Sequence, residues 1–255
     1  MKAKVIIVGM GQLGGVFAKG ILATGHPVYP IIRSMDIKIE ANMIQNPKAV
    51  LVSVAEGDLN NVLEEIPAIW RDRLVLLQNE LLPRDWQAFE ITHPTVISVW
   101  FEKKKGMDAN VLLPSPIYGP NAGLIGEGLE IIDIPTRILK DQDELQFELV
   151  RKNVYIITIN IAGLIKGGSV GELWQNHEDF VRKVANDIMD VQAWLVGQEL
   201  ERERVITGML EAFDGDPDHK CMGRTAPDRL RRALNFANQA GLDVSTFREI
   251  AEKKF

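Results

Sequence analysis

A glycine-rich turn stands between a short apolar run and an apolar helical stretch near the start of the chain. Val5–Val8 leads straight into a Gly-x-Gly-x-x-Gly string at residues 9–14. This order of strand, turn and helix is what a dinucleotide-binding βαβ unit needs. The first glycine permits a tight turn, the second lets the backbone approach a pyrophosphate, and the third allows close helix–strand packing, while free helix N–H groups favour the anion. The alternative is a turn that binds nothing. The predicted cofactor-binding residues of this turn are Gly9, Met10, Gly11, Gln12, Leu13 and Gly14.

The end of the second predicted strand bears on the choice between NADP and NAD. Residues 28–32 form an apolar run that ends at Arg33 and Ser34, where an NAD enzyme places the carboxylate that binds the ribose 2′-hydroxyl. A guanidinium can hold a 2′-phosphate with several charge-assisted hydrogen bonds, and Ser34 can add another. These residues therefore favour NADP(H). Asp36 is the competing candidate, because a carboxylate closer to the ribose than Arg33 would reverse the preference.

Composition and charge exclude several classes of protein. The chain has 255 residues, of which 46% are apolar and 25% charged, as in an ordinary globular protein. A formal charge of −6 without a basic stripe argues against nucleic acid as a partner, and the Lys103–Lys105 run is expected to be a solvated loop. No apolar stretch approaches the roughly 20 residues that a membrane span needs. The single cysteine, Cys221, and the absence of an export signal favour a cytoplasmic protein.

The first half of the chain has the pattern of a doubly wound α/β sheet. Near-continuous Val/Ile/Leu runs separated by amphipathic segments are typical of parallel strands that are covered on both faces. These runs predict an N-terminal Rossmann domain. Beyond the first two strands, the strand candidates are residues 49–54, 74–78 and 96–100, with further strand-like pieces at 110–113 and 129–132.

The second half is predicted to be helical. After Pro135 strands are expected to stop, and apolar residues recur at helical spacing. We therefore predict a dinucleotide-binding domain over residues 1–138 and an all-helical substrate and dimerisation domain over 139–255, with the active site in the cleft between them. The glycines before Ser169 predict a break between helices. Helices are predicted over residues 154–165, 172–204, 228–240 and 245–253.

Residues 151–160, Arg-Lys-Asn-Val-Tyr-Ile-Ile-Thr-Ile-Asn, followed by Gly-Glu-Leu-Trp at 171–174, resemble the helix that carries the catalytic lysine in ketopantoate reductases. Further matches occur in the same order along essentially the whole chain. They are the glycine turn at 9–14, Gly-His-Pro-Val at 25–28 leading to Arg33, Leu-Leu-Gln-Asn at 76–79 and Ala-Gly-Leu at 240–242.

This resemblance implies a fold and an activity. The fold is a Rossmann domain followed by a helical domain, as in 6-phosphogluconate dehydrogenase-like proteins, and the activity is the reduction of the 2-oxo acid 2-dehydropantoate by NADPH. Lys152 would be the general acid that stabilises the developing oxyanion and supplies the proton. Asn79 would lie near the nicotinamide, and Asn160 would be a second polar residue of the lysine helix. The implied partner is a small carbonyl compound, and the apolar helices make a homodimer plausible.

Several positions depart from the family pattern. Ile156 stands four residues after Lys152, where the family has an asparagine, and Thr225 stands near the place of the carboxylate that holds the substrate hydroxyl. A family lysine aligns with Ala55 or Glu56, and Glu80 replaces a glycine. The departures at Ile156 and Thr225 motivate an alternative from another class, a dinucleotide-binding regulatory or assembly protein without turnover. A third possibility is a different hydroxyacid or imine dehydrogenase with the same fold.

Structural roles compete with the catalytic ones. Lys152 could be a surface lysine paired with Glu148 one helical turn earlier, and Asn160 could be a buried amide satisfied by the nearby backbone. The acidic segment at 214–218 lacks the glycine and glutamate of a calcium loop, and its expected role is a turn between helices. The remaining histidines have no ligand spacing, so no metal site is predicted.

Overall fold

The computed structural model describes residues 2–255 and divides into two compact units, one extending to Glu148 and the other covering Leu149–Phe255. The first unit contains the strands. They are β1 (Val5–Val8), β2 (Val28–Ile31), β3 (Ala49–Val52), β4 (Leu74–Leu76), β5 (Thr95–Ile97), β6 (Phe101–Lys103), β7 (Ala109–Val111), β8 (Ser115–Tyr118) and β9 (Thr136–Ile138).

Helices connect these strands. The α-helices of the first unit are α1 (Gln12–Ala23), α2 (Ile37–Met43), α3 (Leu59–Glu65), α4 (Pro83–Gln87) and α5 (Ala122–Glu130), and 3₁₀ turns cover Glu56–Asp58 and Ala68–Arg73.

Seven of the strands form one sheet in the order β2-β1-β3-β4-β5-β8-β9. Strands β1 to β5 are parallel to their neighbours, whereas β8 runs antiparallel to β5. The carboxyl ends of the parallel strands therefore share one edge of the sheet. This topology confirms the predicted Rossmann fold. Pro30 occupies β2, an edge strand, where its missing N–H costs no ladder hydrogen bond.

Helices α1 and α5 cover one face of the sheet and touch through glycines. A Cβ atom on Gly20 would lie 2.2 Å from the carbonyl oxygen of Gly128, so only glycine permits this approach. Leu129 and Ile125 of α5 join the core beneath α1. The prediction of a strand at residues 129–132 is therefore wrong, because the small residues around Leu129 serve helix packing.

Two further predictions about this unit need correction. Lys104 and Lys105 lie in an exposed loop, as predicted, but Lys103 ends β6, which pairs with β7 in a separate two-stranded hairpin. Strands also do not stop at Pro135, since β9 follows immediately and pairs with β8 in parallel.

The second unit is helical, as predicted. Helix α6 (Gln142–Lys166) begins in the first unit and continues into the second, and it is followed by α7 (Val170–Val196), α8 (Arg202–Gly215), α9 (Ala226–Ala240) and α10 (Ser245–Lys254). The predicted break before Ser169 is confirmed, since its hydroxyl caps α7. The predicted helix over 172–204 is wrong in its length, because Gly197 adopts φ +70° and ends α7. Within residues 2–255, no helix is both long and apolar enough to cross a membrane.

Candidate functional site

The glycine turn has a geometry that only glycines allow at two of its positions. Gly9 has φ +91°, and a Cβ atom there would lie 2.6 Å from the carbonyl oxygen of Ser53, after β3. A Cβ atom on Gly14 would lie 2.2 Å from the carbonyl oxygen of Gly9. Gly11 is different, because a Cβ atom there would meet nothing within 4 Å. Gly9 and Gly14 thus shape the turn, while Gly11 keeps its outer face open.

The N-terminus of α1 lies on this open face. The helix begins at Gln12, and no side chain caps its first N–H groups. Uncapped N–H groups at a helix start bind anions well, because their partial positive charges point outward. Met10 and Gln12 are exposed beside the turn. The arrangement offers uncapped N–H donors to a phosphate or pyrophosphate group on the open side of Gly11.

Gln78, for which no role was predicted, supports the sheet edge behind the turn. Its side chain is 7% exposed, and its Nε2 donates to the carbonyl oxygens of Val52 at 2.8 Å and Val54 at 3.4 Å. These two carbonyls flank Ser53, whose own carbonyl contacts Gly9. Gln78 therefore fixes the loop against which the glycine turn packs.

Asn79 follows Gln78 and is half-buried at the carboxyl edge of the sheet. The next residue, Glu80, has φ +61°, which is left-handed backbone. L-residues with a side chain adopt this conformation at a cost of about 1–2 kcal/mol. The glycine that the ketopantoate reductase resemblance predicts here would adopt this backbone geometry without that cost.

Arg33 and Ser34 are exposed after β2. The Arg33 side chain is 95% exposed, and its guanidinium contacts the Asp58 carboxylate at 3.1 Å. Asp36 has another role, since its Oδ1 accepts hydrogen bonds from the backbone N–H groups of Lys38 and Ile39 at 2.8 and 3.2 Å. The Asp36 carboxylate is thus engaged as the N-cap of α2, whereas Arg33 faces solvent.

The other two predicted catalytic residues, Lys152 and Asn160, lie on α6 in the second unit. Lys152 is only 8% exposed, which does not fit a surface lysine. Asn160 lies eight residues further along, or about 12 Å at 1.5 Å per residue. Its buried Nδ2 donates to the carbonyl oxygen of Cys221 at 3.5 Å. This long contact fits the alternative in which Asn160 is a buried amide satisfied by the nearby backbone. Ile156 lies between them and is half-buried.

The neighbours of Lys152 anchor this part of α6. Nε of Arg151 donates to the carbonyl oxygen of Gly208 at 2.9 Å, and Nδ2 of Asn153 donates to Oε1 of Gln192 at 3.1 Å. A Cβ atom on Gly208 would lie 2.6 Å from Nε of Arg151, so the glycine makes room for the guanidinium. Sequence patterns did not indicate these contacts, which hold the backbone of Lys152 from both sides.

A cavity of about 610 Å³ opens beside the glycine turn. It extends along the exposed side of α1 and is closed by the β6–β7 hairpin and by the turn after α5. Its lining residues are Gly11, Gln12, Gly15, Val16, Lys19, Lys103, Asp108, Ala109, Ile132, Asp133 and Ile134. Among residues 2–255, no three His, Cys, Asp or Glu side chains are grouped to hold a metal ion.

Comparison with known proteins gives a fold likeness over nearly the whole chain. No protein-family model matches the sequence, and no curated protein sequence is significantly similar to it. Among solved structures, 2-dehydropantoate 2-reductase from Methylococcus capsulatus is 15% identical, with a TM-score of 0.71 and coverage of 97% of this chain and 94% of that chain.

Two further structures extend this likeness. D-mandelate dehydrogenase in complex with NADH is 13% identical, with a TM-score of 0.69 and coverage of 98% and 97% of the two chains. The dimeric ketopantoate reductase from Staphylococcus aureus is 17% identical, with a TM-score of 0.65 and coverage of 97% and 95%. The chain therefore has the Rossmann-plus-helical fold of ketopantoate reductases, as its motifs predict.

Proposed function

We propose that this protein is an NADP(H)-dependent oxidoreductase that reduces a small 2-oxo acid or a related carbonyl compound. The observation that carries the proposal is the glycine turn: Gly9 and Gly14 admit no side chain, whereas Gly11 is open next to the uncapped start of α1. This is the arrangement that a dinucleotide pyrophosphate needs. The shared fold with a reductase and with a dehydrogenase bound to NADH supports the same class of reaction.

The preference for NADP(H) is supported by two side chains after β2. Arg33 is almost fully exposed, so its guanidinium is accessible to a 2′-phosphate. In Asp36, the candidate for an NAD-type ribose contact, one carboxylate oxygen already accepts hydrogen bonds from two backbone N–H groups of α2. Replacing Arg33 should therefore weaken NADPH much more than NADH.

When bound, the dinucleotide would supply the hydride that reduces the carbonyl carbon of the substrate. The ammonium of Lys152 would stabilise the negative charge that develops on the carbonyl oxygen and would transfer a proton to it, which leaves a 2-hydroxy acid and a neutral amine. Asn79 would contact the nicotinamide end of the cofactor. Asn160 can act on the substrate only if its Nδ2 gives up its hydrogen bond to the carbonyl oxygen of Cys221 and donates to the substrate instead.

Ile156 bears on the substrate class. It lies one helical turn from Lys152 and offers an apolar surface where an amide would otherwise bind a substrate hydroxyl. A site that recognises a hydroxyl by hydrogen bonds rejects the analogue without it by about 10⁴-fold, whereas an apolar pocket discriminates by about 100-fold or less. We therefore expect oxo acids with apolar side chains to be substrates at least as good as ketopantoate.

The decisive experiment separates binding from turnover. Purified protein is titrated with NADPH and NADH, and NADPH oxidation is then measured with ketopantoate, with trimethylpyruvate, which lacks only its hydroxyl, and with the 2-oxo acid of mandelate. Lys152→Ala should lower kcat by at least about 100-fold. Lys183→Ala, which removes an exposed lysine of the same unit, serves as the matched control.

Each outcome decides between functions. Turnover that depends on Lys152 supports the reductase, and the best oxo acid defines its class. Tight NADPH binding without oxidation of any compound would instead favour a dinucleotide-binding regulatory or assembly protein. The dimer is tested on the same sample by sedimentation, for which the dimeric relative provides the precedent.

A further inference from the structure

We infer that Lys103, assisted by Lys19, supplies the positive charge that holds the pyrophosphate of the bound dinucleotide at the glycine turn. The inference rests on the proposed function, because it needs a dinucleotide at this turn. It assigns a binding role to the β6–β7 hairpin, which otherwise has no part in the cofactor site.

The hairpin is fixed to α1 by an aromatic contact. The rings of Phe17 in α1 and Phe101 in β6 have centroids 6.2 Å apart, and Phe101 is buried. Side chains alternate along a strand, so Lys103 projects from the same face as Phe101. Ala109, the partner of Lys103 across the hairpin, lines the same cavity. The ammonium of Lys103 is thereby directed to the side of α1.

The cavity connects Lys103 with the glycine turn. Its wall includes Gly11 and Gln12 at the start of α1 and continues past Gly15, and neither Gly11 nor Gly15 has a neighbour within 4 Å of its Cβ position. The passage along the helix is therefore open. Lys19 lies about 12 Å beyond Gly11 on the helix axis, but helical side chains tilt toward the N-terminus and bring its ammonium back toward the turn.

The charges around the turn indicate where an anion would be held. On the other flank, the loop after β3 carries Glu56 and Asp58 and has no cation of its own between residues 53 and 58, and the guanidinium of Arg33 is in contact with the Asp58 carboxylate. In the cavity, Lys103 and Lys19 are the cations, and Asp108 and Asp133 are the carboxylates.

Lys103 is the better placed of the two lysines. It is half-buried, and it makes no ion pair within the part of the chain that the structure describes, whereas the adjacent Lys104 contacts Glu102 at 2.8 Å. Asp133 belongs to the turn after α5. Because Gly128 of α5 contacts Gly20 of α1, this turn lies at the end of the cavity that Lys19 lines. An anion is therefore best placed where Lys103 meets the free N–H groups of α1.

The test compares cofactor affinities of Lys103→Ala, Lys19→Ala and the control Lys104→Ala, measured by calorimetry with NADPH, NADH and adenosine. A charge-assisted hydrogen bond corresponds to about a tenfold change in the dissociation constant. Lys103→Ala should weaken NADPH and NADH by the same factor, about tenfold, and should leave adenosine unchanged because adenosine has no phosphate. Lys19→Ala should have a smaller effect, and Lys104→Ala none.

The salt dependence gives a second readout. Loss of a cation from the pyrophosphate should make log Kd for NADPH less steep against log salt concentration. Thermal unfolding of each variant without ligand checks that the hairpin still folds. Arg33→Ala provides the contrast, since loss of a 2′-phosphate contact weakens NADPH and spares NADH.

The outcomes distinguish the two proposals. If the wild-type protein binds neither dinucleotide, both the proposed function and this inference are wrong. If it binds them and Lys103→Ala behaves like Lys104→Ala, only the inference is overturned. The inference is equally overturned if Lys103→Ala weakens NADPH but not NADH, because Lys103 would then contact the 2′-phosphate.

Discussion

Titration of Cys221 should lower the free energy of unfolding of the protein at alkaline pH. The residue is fully buried between α8 and α9, and a Cβ atom on Gly163 of α6 would lie 2.9 Å from its own Cβ. Burial, reinforced by the negative charge of Glu172, raises the pKa of the thiol from 9.0 to about 11. The native protein therefore keeps this proton at a pH where the unfolded chain has lost it.

The magnitude follows from linkage. Between pH 9 and pH 11 the unfolded state binds one proton fewer than the native state at this site, so the free energy of unfolding falls as pH rises. One pKa unit corresponds to 1.36 kcal/mol, so a difference of about two units costs about 2–3 kcal/mol of stability across this window. Below pH 9 the thiol is protonated in both states, and no such loss is expected.

The assay is guanidinium unfolding at pH 8, 9, 10 and 11, followed by circular dichroism, for the wild type and for Cys221→Ala. Other groups titrate in both proteins, so the difference between them isolates the thiol. Near pH 8 the variant should be about 1 kcal/mol less stable, because it loses a buried sulfur of roughly methylene size. Near pH 11 the order should reverse. A stability difference that stays constant from pH 8 to pH 11 would refute the reasoning.

Three further predictions concern single side chains. Glu80→Gly should stabilise the fold by about 0.5–1 kcal/mol, because relief of left-handed strain exceeds the cost of the more flexible unfolded chain. The control Glu64→Gly in α3 should cost about 1 kcal/mol. Denaturant melts that give both changes the same sign would contradict this. Gln78→Leu should raise the dissociation constant for NADPH about tenfold by freeing the loop after β3, and unchanged affinity in calorimetry would exclude a role in shaping the turn. Asp187→Ala should cost about 1–3 kcal/mol, because its buried carboxylate accepts a backbone N–H at the start of α10; Asp190→Ala, at an exposed ion pair, should cost under about 1 kcal/mol in the same melts.

The parts of the fold that sequence predicts well are those fixed by local pattern. Strands β1 to β5 are apolar runs bounded by turn residues, and their burial requires no knowledge of distant segments. Helix α5 is different, because its glycines disfavour a helix locally. The reason for Gly128 is its close contact with Gly20 of α1, which is distant in sequence. The end of α7 at Gly197 could have been predicted, since glycine is the usual residue at a left-handed helix end.

The candidate site shows the same division. The glycine turn is readable because its conformational requirements fall within six consecutive residues. Gln78 and Arg151 are not, because their partners Val52 and Gly208 lie 26 and 57 residues away in sequence. Asp36 is a candidate ribose ligand by its place after β2, but an aspartate just before a helix also indicates an N-cap, which is the role it has.

The two halves of the proposed site are supported by separate sets of contacts. Gln78 steadies the loop behind the glycine turn in the first unit, whereas Arg151 and Asn153 hold the backbone of Lys152 in the second. Loss of a polar group from one half therefore leaves intact the contacts that hold the other half. By the ketopantoate reductase resemblance, Ile156 is such a loss, and it lies on α6 in the second unit. Cofactor binding should accordingly be the more robust property of this protein, and the identity of the oxo acid the more variable one.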